Sequence, residues 1–254
     1  MVWISGGSRL YQPSQTAPFK VSRSKIDLYL ECPRCFYLDR RLGVGRPSMP
    51  GFSLNSAVDA LLKKEFDLLR KKGEAHEIMT RYCIDALPFQ HKDLDTWREN
   101  FVGKQVLHAK TNFLVFGAID DLWINSKKEL IIVDYKSTST EKEISLNDEW
   151  KQGYKKQLEI YQWIFRESGF TVSDTAYIVY ANAAKNRARF DGKLEFALTL
   201  HAHSGDTGWV EPTLIRMKSC LDATTVPESS ATCEYCVYRK KAALHEQPEG
   251  QLKL

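Results

Sequence analysis

Gly117-Ala118-Ile119-Asp120-Asp121-Leu122-Trp123-Ile124-Asn125-Ser126-Lys127-Lys128-Glu129-Leu130-Ile131-Ile132-Val133-Asp134-Tyr135-Lys136 holds two apolar segments, a polar turn between them, and charged residues where the segments end. Phe113 to Ile124 is dense in β-branched and aromatic residues and predicts a strand. Asn125 to Lys128 predicts a hairpin turn. Leu130 to Tyr135 is a nearly continuous apolar run, suited to a central strand covered on both faces. Side chains alternate along a strand, so Asp134 and Lys136 share a face, and a paired hairpin brings Asp120 to the same point. Charges at the end of an apolar strand are costly to bury unless they are paired or bind a metal.

Outward from this hairpin the elements become helical. Ser24 to Leu30 predicts a short helix capped by Ser22 or Ser24, running into Cys32-Pro33-Arg34-Cys35. Leu54 to Lys72 predicts a long amphipathic helix with Leu54, Val58, Leu61, Leu62 and Leu69 inward and Lys63, Lys64, Arg70 and Lys71 outward. Further helices are expected over Ala75–Leu87, Trp150–Glu167 and Glu211–Leu221, and further strands over Thr175–Tyr180 and Leu194–Leu200. Residues 137–149 suit a polar loop. The order predicts an α/β core with a mixed sheet and an N-terminal helical elaboration.

Two carboxylates beside a lysine suit phosphodiester hydrolysis. Asp120 and Asp134 are oxygen ligands for Mg²⁺ or Mn²⁺, which activates water and polarises the phosphate. Lys136 would orient the water or offset charge developing on the phosphate. Spacing alone equally allows a surface Asp–Lys pair of little energetic weight.

The chain has 254 residues, 43% hydrophobic and 27% charged, which is enough to bury a core without disulfides. Its net charge of +4 allows nucleic-acid binding without arguing for it. No run of about 18 apolar residues suggests a membrane span, and Met1–Lys20 lacks a secretory pattern, so a reducing, cytoplasmic setting is expected. There, Cys32-x-x-Cys35 and Cys233-x-x-Cys236 predict a four-thiolate metal or cluster site that staples the termini around the core. Cys83 and Cys220 fall outside this pattern and are expected to be buried. His201 and His203 read as surface histidines, and Lys185–Arg189 as a basic loop that either meets phosphates or is simply solvated. Trp150, Tyr154 and Trp163 are expected mostly in the core. No Gly-rich phosphate loop is present, so any unwinding would need a helicase partner.

The Gly117-x-Ile119-Asp120 and Asp134-x-Lys136 elements resemble the PD-(D/E)XK nuclease superfamily in its RecB-like form. Gln157 and Tyr161, four residues apart on one helix face, resemble the Gln-x-x-x-Tyr motif that follows the lysine there. The resemblance implies that this pair positions DNA or the active site, and that Asp120, Asp134 and the Tyr135 carbonyl bind the metal. RecB-like relatives carry a metal-binding His on an upstream helix, and Asp59 stands at that position here. Glu65 is a second candidate.

AddB-type and CRISPR-adaptation nucleases of this branch hold a four-iron four-sulfur cluster with one early and three late cysteines. Cys32 matches the early one. Ala242 stands where a last cysteine is expected, and Cys35 would supply the missing ligand, an arrangement that structural Zn²⁺ also uses. The resemblance implies a restriction-endonuclease-like domain over residues 21–240, after an irregular lead-in (1–20) and before a tail (241–254). It also implies a DNA exonuclease or single-strand-end processor in repair, recombination or defence. The rival readings are a non-catalytic DNA-binding module, or a subunit that depends on a helicase or defence complex.

Overall fold

The computed structural model describes residues 10–48, 51–146, 148 and 151–246. In chain order its elements are β1 (Phe19–Ser22), α1 (Arg23–Glu31), α2 (Pro33–Arg41), α3 (Ser53–Lys72), α4 (Glu77–Arg81), β2 (Leu87–Pro88), α5 (Leu94–Arg98), β3 (Lys104–His108), β4 (Phe113–Gly117), β5 (Asp121–Ile124), β6 (Leu130–Thr138), α6 (Gln152–Glu167), β7 (Thr175–Ala183), β8 (Phe196–Ser204), α7 (Val210–Asp222) and α8 (Glu234–Glu246). They pack as two compact units. One comprises the described parts of Met1–Met49, His108–Phe113 and Glu211–Leu254, and the other those of Pro50–Leu107 and Leu114–Val210. Among the described residues no helix is long and apolar enough to cross a membrane.

The second unit is built on a mixed sheet ordered β2-β5-β6-β7-β8. β5 and β6 form the expected antiparallel hairpin, with Asp121 opposite Val133 and Ile124 opposite Leu130. Its turn closes through Lys128 N–H to the Asn125 carbonyl at 3.0 Å, with Lys128 in the left-handed region at φ 65°. β6 and β7 run parallel, and α6 lies between them in sequence as the crossover that parallel pairing requires. On one sheet face Trp123, Ile131, Val133, Tyr135, Val179 and Leu200 pack with Leu62 and Phe66 of α3. Burying a residue such as Phe66 contributes about 1.5–3 kcal/mol, so α3 is held firmly over the hairpin. Ile132 and Asp134 alternate to the opposite face, where Gln157 of α6 meets Asp134.

Several expectations need correction. The strand expected over Phe113–Ile124 is two strands, because Ala118, Ile119 and Asp120 leave the ladder. Gly103 permits the break: at φ 57°, a Cβ there would lie 2.3 Å from the Gly117 carbonyl oxygen. The helix expected over Ala75–Leu87 is only α4, since Cys83 adopts φ 53° and Leu87–Pro88 pairs with β5. The inward stripe of α3 runs through Leu62, Phe66 and Arg70, while Leu54 and Leu61 are exposed. Arg70 was expected outside, but it lies two turns beyond Leu62 on the same face and finds a buried carboxylate there. β6 reaches Thr138 and β8 reaches Ser204. The expected helix start at Trp150 lies outside the described residues.

Candidate active site and cysteine site

Asp120 precedes β5, Asp134 lies midway along β6 and Lys136 two residues on, so the hairpin register, with Asp121 opposite Val133, brings Asp120 alongside Asp134. The Tyr135 backbone N–H donates to Asp120 Oδ2 at 2.9 Å. Gln157 Nε2 donates to Asp134 Oδ1 at 2.6 Å, and Lys136 Nζ pairs with Asp134 Oδ2. The Lys136 ammonium also lies 5.0 Å from the centre of the Tyr154 ring. On α3, Lys63 Nζ stands 2.8 Å from Asp59 Oδ2 and 3.2 Å from Asp120 Oδ1. A cavity of about 340 Å³ opens here, lined among others by Phe52, Ser56, Asp59, Asp120, Tyr135 and Lys136. Glu65 instead pairs with His76, 2.8 Å away.

Burial and the charge of Asp120 push the Asp134 carboxyl up to about 7, against the pull of Lys136. Burial also opposes ionisation of Asp120, but Lys63, Lys136 and the Tyr135 N–H outweigh it, so Asp120 falls below its ordinary value. Asp59 is raised by burial and by Asp120. Crowded carboxylates with shifted protonation mark a place where a cation relieves repulsion. All three side chains offer oxygen, the donor that Mg²⁺ and Mn²⁺ prefer, so this donor set fits such an ion.

The segment carrying Asp120 is fixed from three sides. Tyr161 Oη donates to the Ala118 carbonyl at 2.6 Å, and Ile119 N–H donates to the Trp97 carbonyl at 3.1 Å. Arg98 Nε donates to the Asp120 carbonyl at 2.9 Å. Arg98 belongs to a buried charge network that sequence reasoning missed. Asp121, fully buried, accepts from Arg98 at 2.8 Å, from the Tyr135 hydroxyl at 2.7 Å and from Arg70. Asp67 accepts from both arginines. Lys63 was also missed as a site residue, although its position four residues after Asp59 signals a shared helix face. Nothing in the local pattern around Arg98 announces its role.

The sequence model described as "PD-(D/E)XK nuclease superfamily" matches residues 20–240. The chain belongs to the PD-(D/E)XK nuclease superfamily. Its mixed α/β fold agrees with that superfamily's core, whose members are generally nucleases using divalent metals. A search of curated proteins finds no match. A solved structure described as "Crystal structure of SSO0001" is similar at 14% identity and a TM-score of 0.41, covering 87% of this chain and 84% of that one.

This PD-(D/E)XK chain carries a second cluster in its first unit. Cys32 precedes α2 and Cys35 lies in its first turn, while Cys233 precedes α8 and Cys236 lies in its first turn. Both pairs therefore sit at helix N-termini, where the helix dipole favours thiolates. The four sulfurs lie within 4.8 Å of one another. Cys35 Sγ is 3.6 Å from both Cys233 and Cys236, and Cys32 Sγ is 3.9 Å from Cys236. Arg46 reaches Cys233 Sγ at 3.3 Å and is itself held by Glu31 at 2.7 Å. Burial opposes ionisation of Cys32, yet hydrogen bonds at the Cys35 and Ser230 backbone hold it down at about 7, while burial pushes Cys35 and Cys236 up. Thiols this close cannot all ionise without a cation between them, so the set fits a metal centre.

The remaining expectations resolve individually. Cys83 is exposed and Cys220 half-buried, since the turn after α4 carries Cys83 to the surface. His203 is half-buried rather than fully exposed, and its Nε2 lies 2.7 Å from Glu159, which also accepts from Trp209 at 2.6 Å. Residues 185–189 form an exposed loop in which Arg187 pairs with Glu195 and Arg189 with Asp191. Trp163 is buried, and Trp150 lies outside the described residues.

Proposed function

We propose that the protein is a metal-dependent deoxyribonuclease of the RecB-like branch, acting at DNA ends or on single strands, within a single nuclease domain over residues 21–240. The observation that carries this reading is that Asp120 and Lys136 line one cavity while Lys136 pairs with the buried Asp134. Asp120, Asp134 and the Tyr135 carbonyl would hold Mg²⁺ or Mn²⁺, with Asp59 at the cavity's α3 side. When bound, the ion supplies Lewis acidity to the phosphate and to a nearby water.

The chain's own groups do the rest. Gln157 fixes one oxygen of Asp134, which fixes the rotamer of that carboxylate. Lys136 stays close to Asp134 and lines the cavity, where its ammonium would orient the attacking water or offset charge on a phosphate oxygen. Tyr161 and Arg98 hold the backbone around Asp120 through the Ala118 carbonyl and the carbonyl of Asp120 itself. A site in repair, recombination or defence and a cytoplasmic setting accord with this chemistry.

For the cysteine site, the sulfur spacing favours the zinc alternative over a four-iron four-sulfur cluster. A zinc–sulfur bond of about 2.3 Å gives tetrahedral edges of about 3.8 Å, close to the three short separations of 3.6–3.9 Å in a set that lies wholly within 4.8 Å. A cluster binds each cysteine at a different iron, which sets the sulfurs farther apart. Purified protein is expected to be colourless with one zinc per chain. Brown protein absorbing near 400 nm, roughly where thiolate-bound iron absorbs, would restore the cluster.

Labelled single-stranded DNA, blunt duplex and covalently closed circles, each with Mg²⁺ or Mn²⁺, test the substrate. Linear molecules are expected to be degraded and circles spared. Equal attack on circles removes the end-processing reading, and no attack on any substrate favours the binding module or a subunit that needs a helicase.

A further inference from the structure

We propose that the Lys63 ammonium occupies a cation position between Asp59 and Asp120 and so limits the active site to one divalent ion. The proposal rests on the metal-site reading above and adds the number of ions. Lys63 lies one helical turn after Asp59, so α3 presents both to the same place. Its Nζ is 2.8 Å from Asp59 Oδ2 and 3.2 Å from Asp120 Oδ1, a bridging position between two carboxylates. The side chain is only 22% exposed, and α3 is anchored behind it by Leu62 and Phe66, which restricts its escape.

Charge counting gives the same answer. Once ionised, as metal binding requires, Asp59, Asp120 and Asp134 contribute three negative charges, and Lys63 and Lys136 contribute two positive ones. One divalent ion turns this balance from minus one to plus one, which suits a phosphodiester carrying one negative charge. A second ion would leave plus three in a partly buried cavity and would have to share Asp59 and Asp120 with an ammonium within about 3 Å, where like charges repel strongly. Two-ion phosphodiester sites place their metals about 3.5–4 Å apart. Here the ammonium meets Asp120 at Oδ1, while the Tyr135 N–H meets Oδ2.

Calorimetric titration with Mn²⁺ alone, in the absence of DNA, reads the number of ions directly. Wild type is expected to bind one Mn²⁺ at this site, and Asp134→Asn to lose it. Lys63→Met keeps the apolar stem and removes the charge, and is expected to bind two. Lys63→Met combined with Asp59→Asn is expected to return to one. A Lys63→Met protein that still binds one ion overturns the proposal and leaves the metal-site reading standing. If wild type binds no Mn²⁺, or Asp134→Asn keeps what wild type binds, the metal-site reading fails and the proposal falls with it.

Discussion

Asp134→Asn and Lys136→Ala are each expected to slow DNA cleavage by about 10²–10³-fold or more, the scale seen when one pre-aimed charge or donor is removed from an active site. Asp134→Asn keeps the shape that Gln157 grips but removes the charge proposed to bind the ion. Lys136→Ala leaves the carboxylates and removes the donor beside them. Neither change empties the apolar core, since Asp134 faces Gln157 on the side of β6 away from Trp123, Val133 and Phe66. Their thermal midpoints should therefore stay near wild type while kcat collapses. Cleavage measured beside circular-dichroism melting separates the two effects, and near-normal cleavage by either variant would remove that residue from the mechanism.

Asp121→Ala should behave the opposite way, lowering stability by about 3–5 kcal/mol. It strips a fully buried carboxylate that faces Arg70, Arg98 and the Tyr135 hydroxyl. Both guanidiniums keep Asp67, but they lose the acceptor at the inner end of the network. Breaking a buried pair from one side is expensive because the remaining charge is left desolvated. Activity should fall too, since Arg98 also holds the Asp120 carbonyl. Tyr135→Phe removes only a hydroxyl from the same network and should cost about 1 kcal/mol. Urea midpoints of the two variants provide the check, and a loss for Asp121→Ala no larger than for Tyr135→Phe would show that the network carries little stability.

The hairpin was readable because its chemistry is local. Two apolar segments, a turn of polar residues and a period of two fix which side chains meet, and Asp120, Asp134 and Lys136 lie within that short span. Paired CxxC elements were readable for the same reason. What failed depended on distant partners. Arg70 looks like a surface residue until Asp121, 51 residues away, is folded against it. Leu54 and Leu61 look inward by spacing, but the rotation of α3 is set by the sheet and by Arg70. β1, α5 and β3 are short and α8 is weakly patterned, so they left no periodic signal. The division of Phe113–Ile124 into two strands hinges on Gly103, whose approach to Gly117 no local rule announces.

Crystals grown with Mn²⁺ offer the most direct test, because anomalous scattering locates the ion without reference to activity. The account predicts a peak about 2.0–2.2 Å from a carboxylate oxygen of both Asp120 and Asp134, the range for small hard cations, with the Lys136 ammonium facing the same cavity. A peak bound elsewhere on the chain, or one that leaves either aspartate out of coordinating reach, would contradict it.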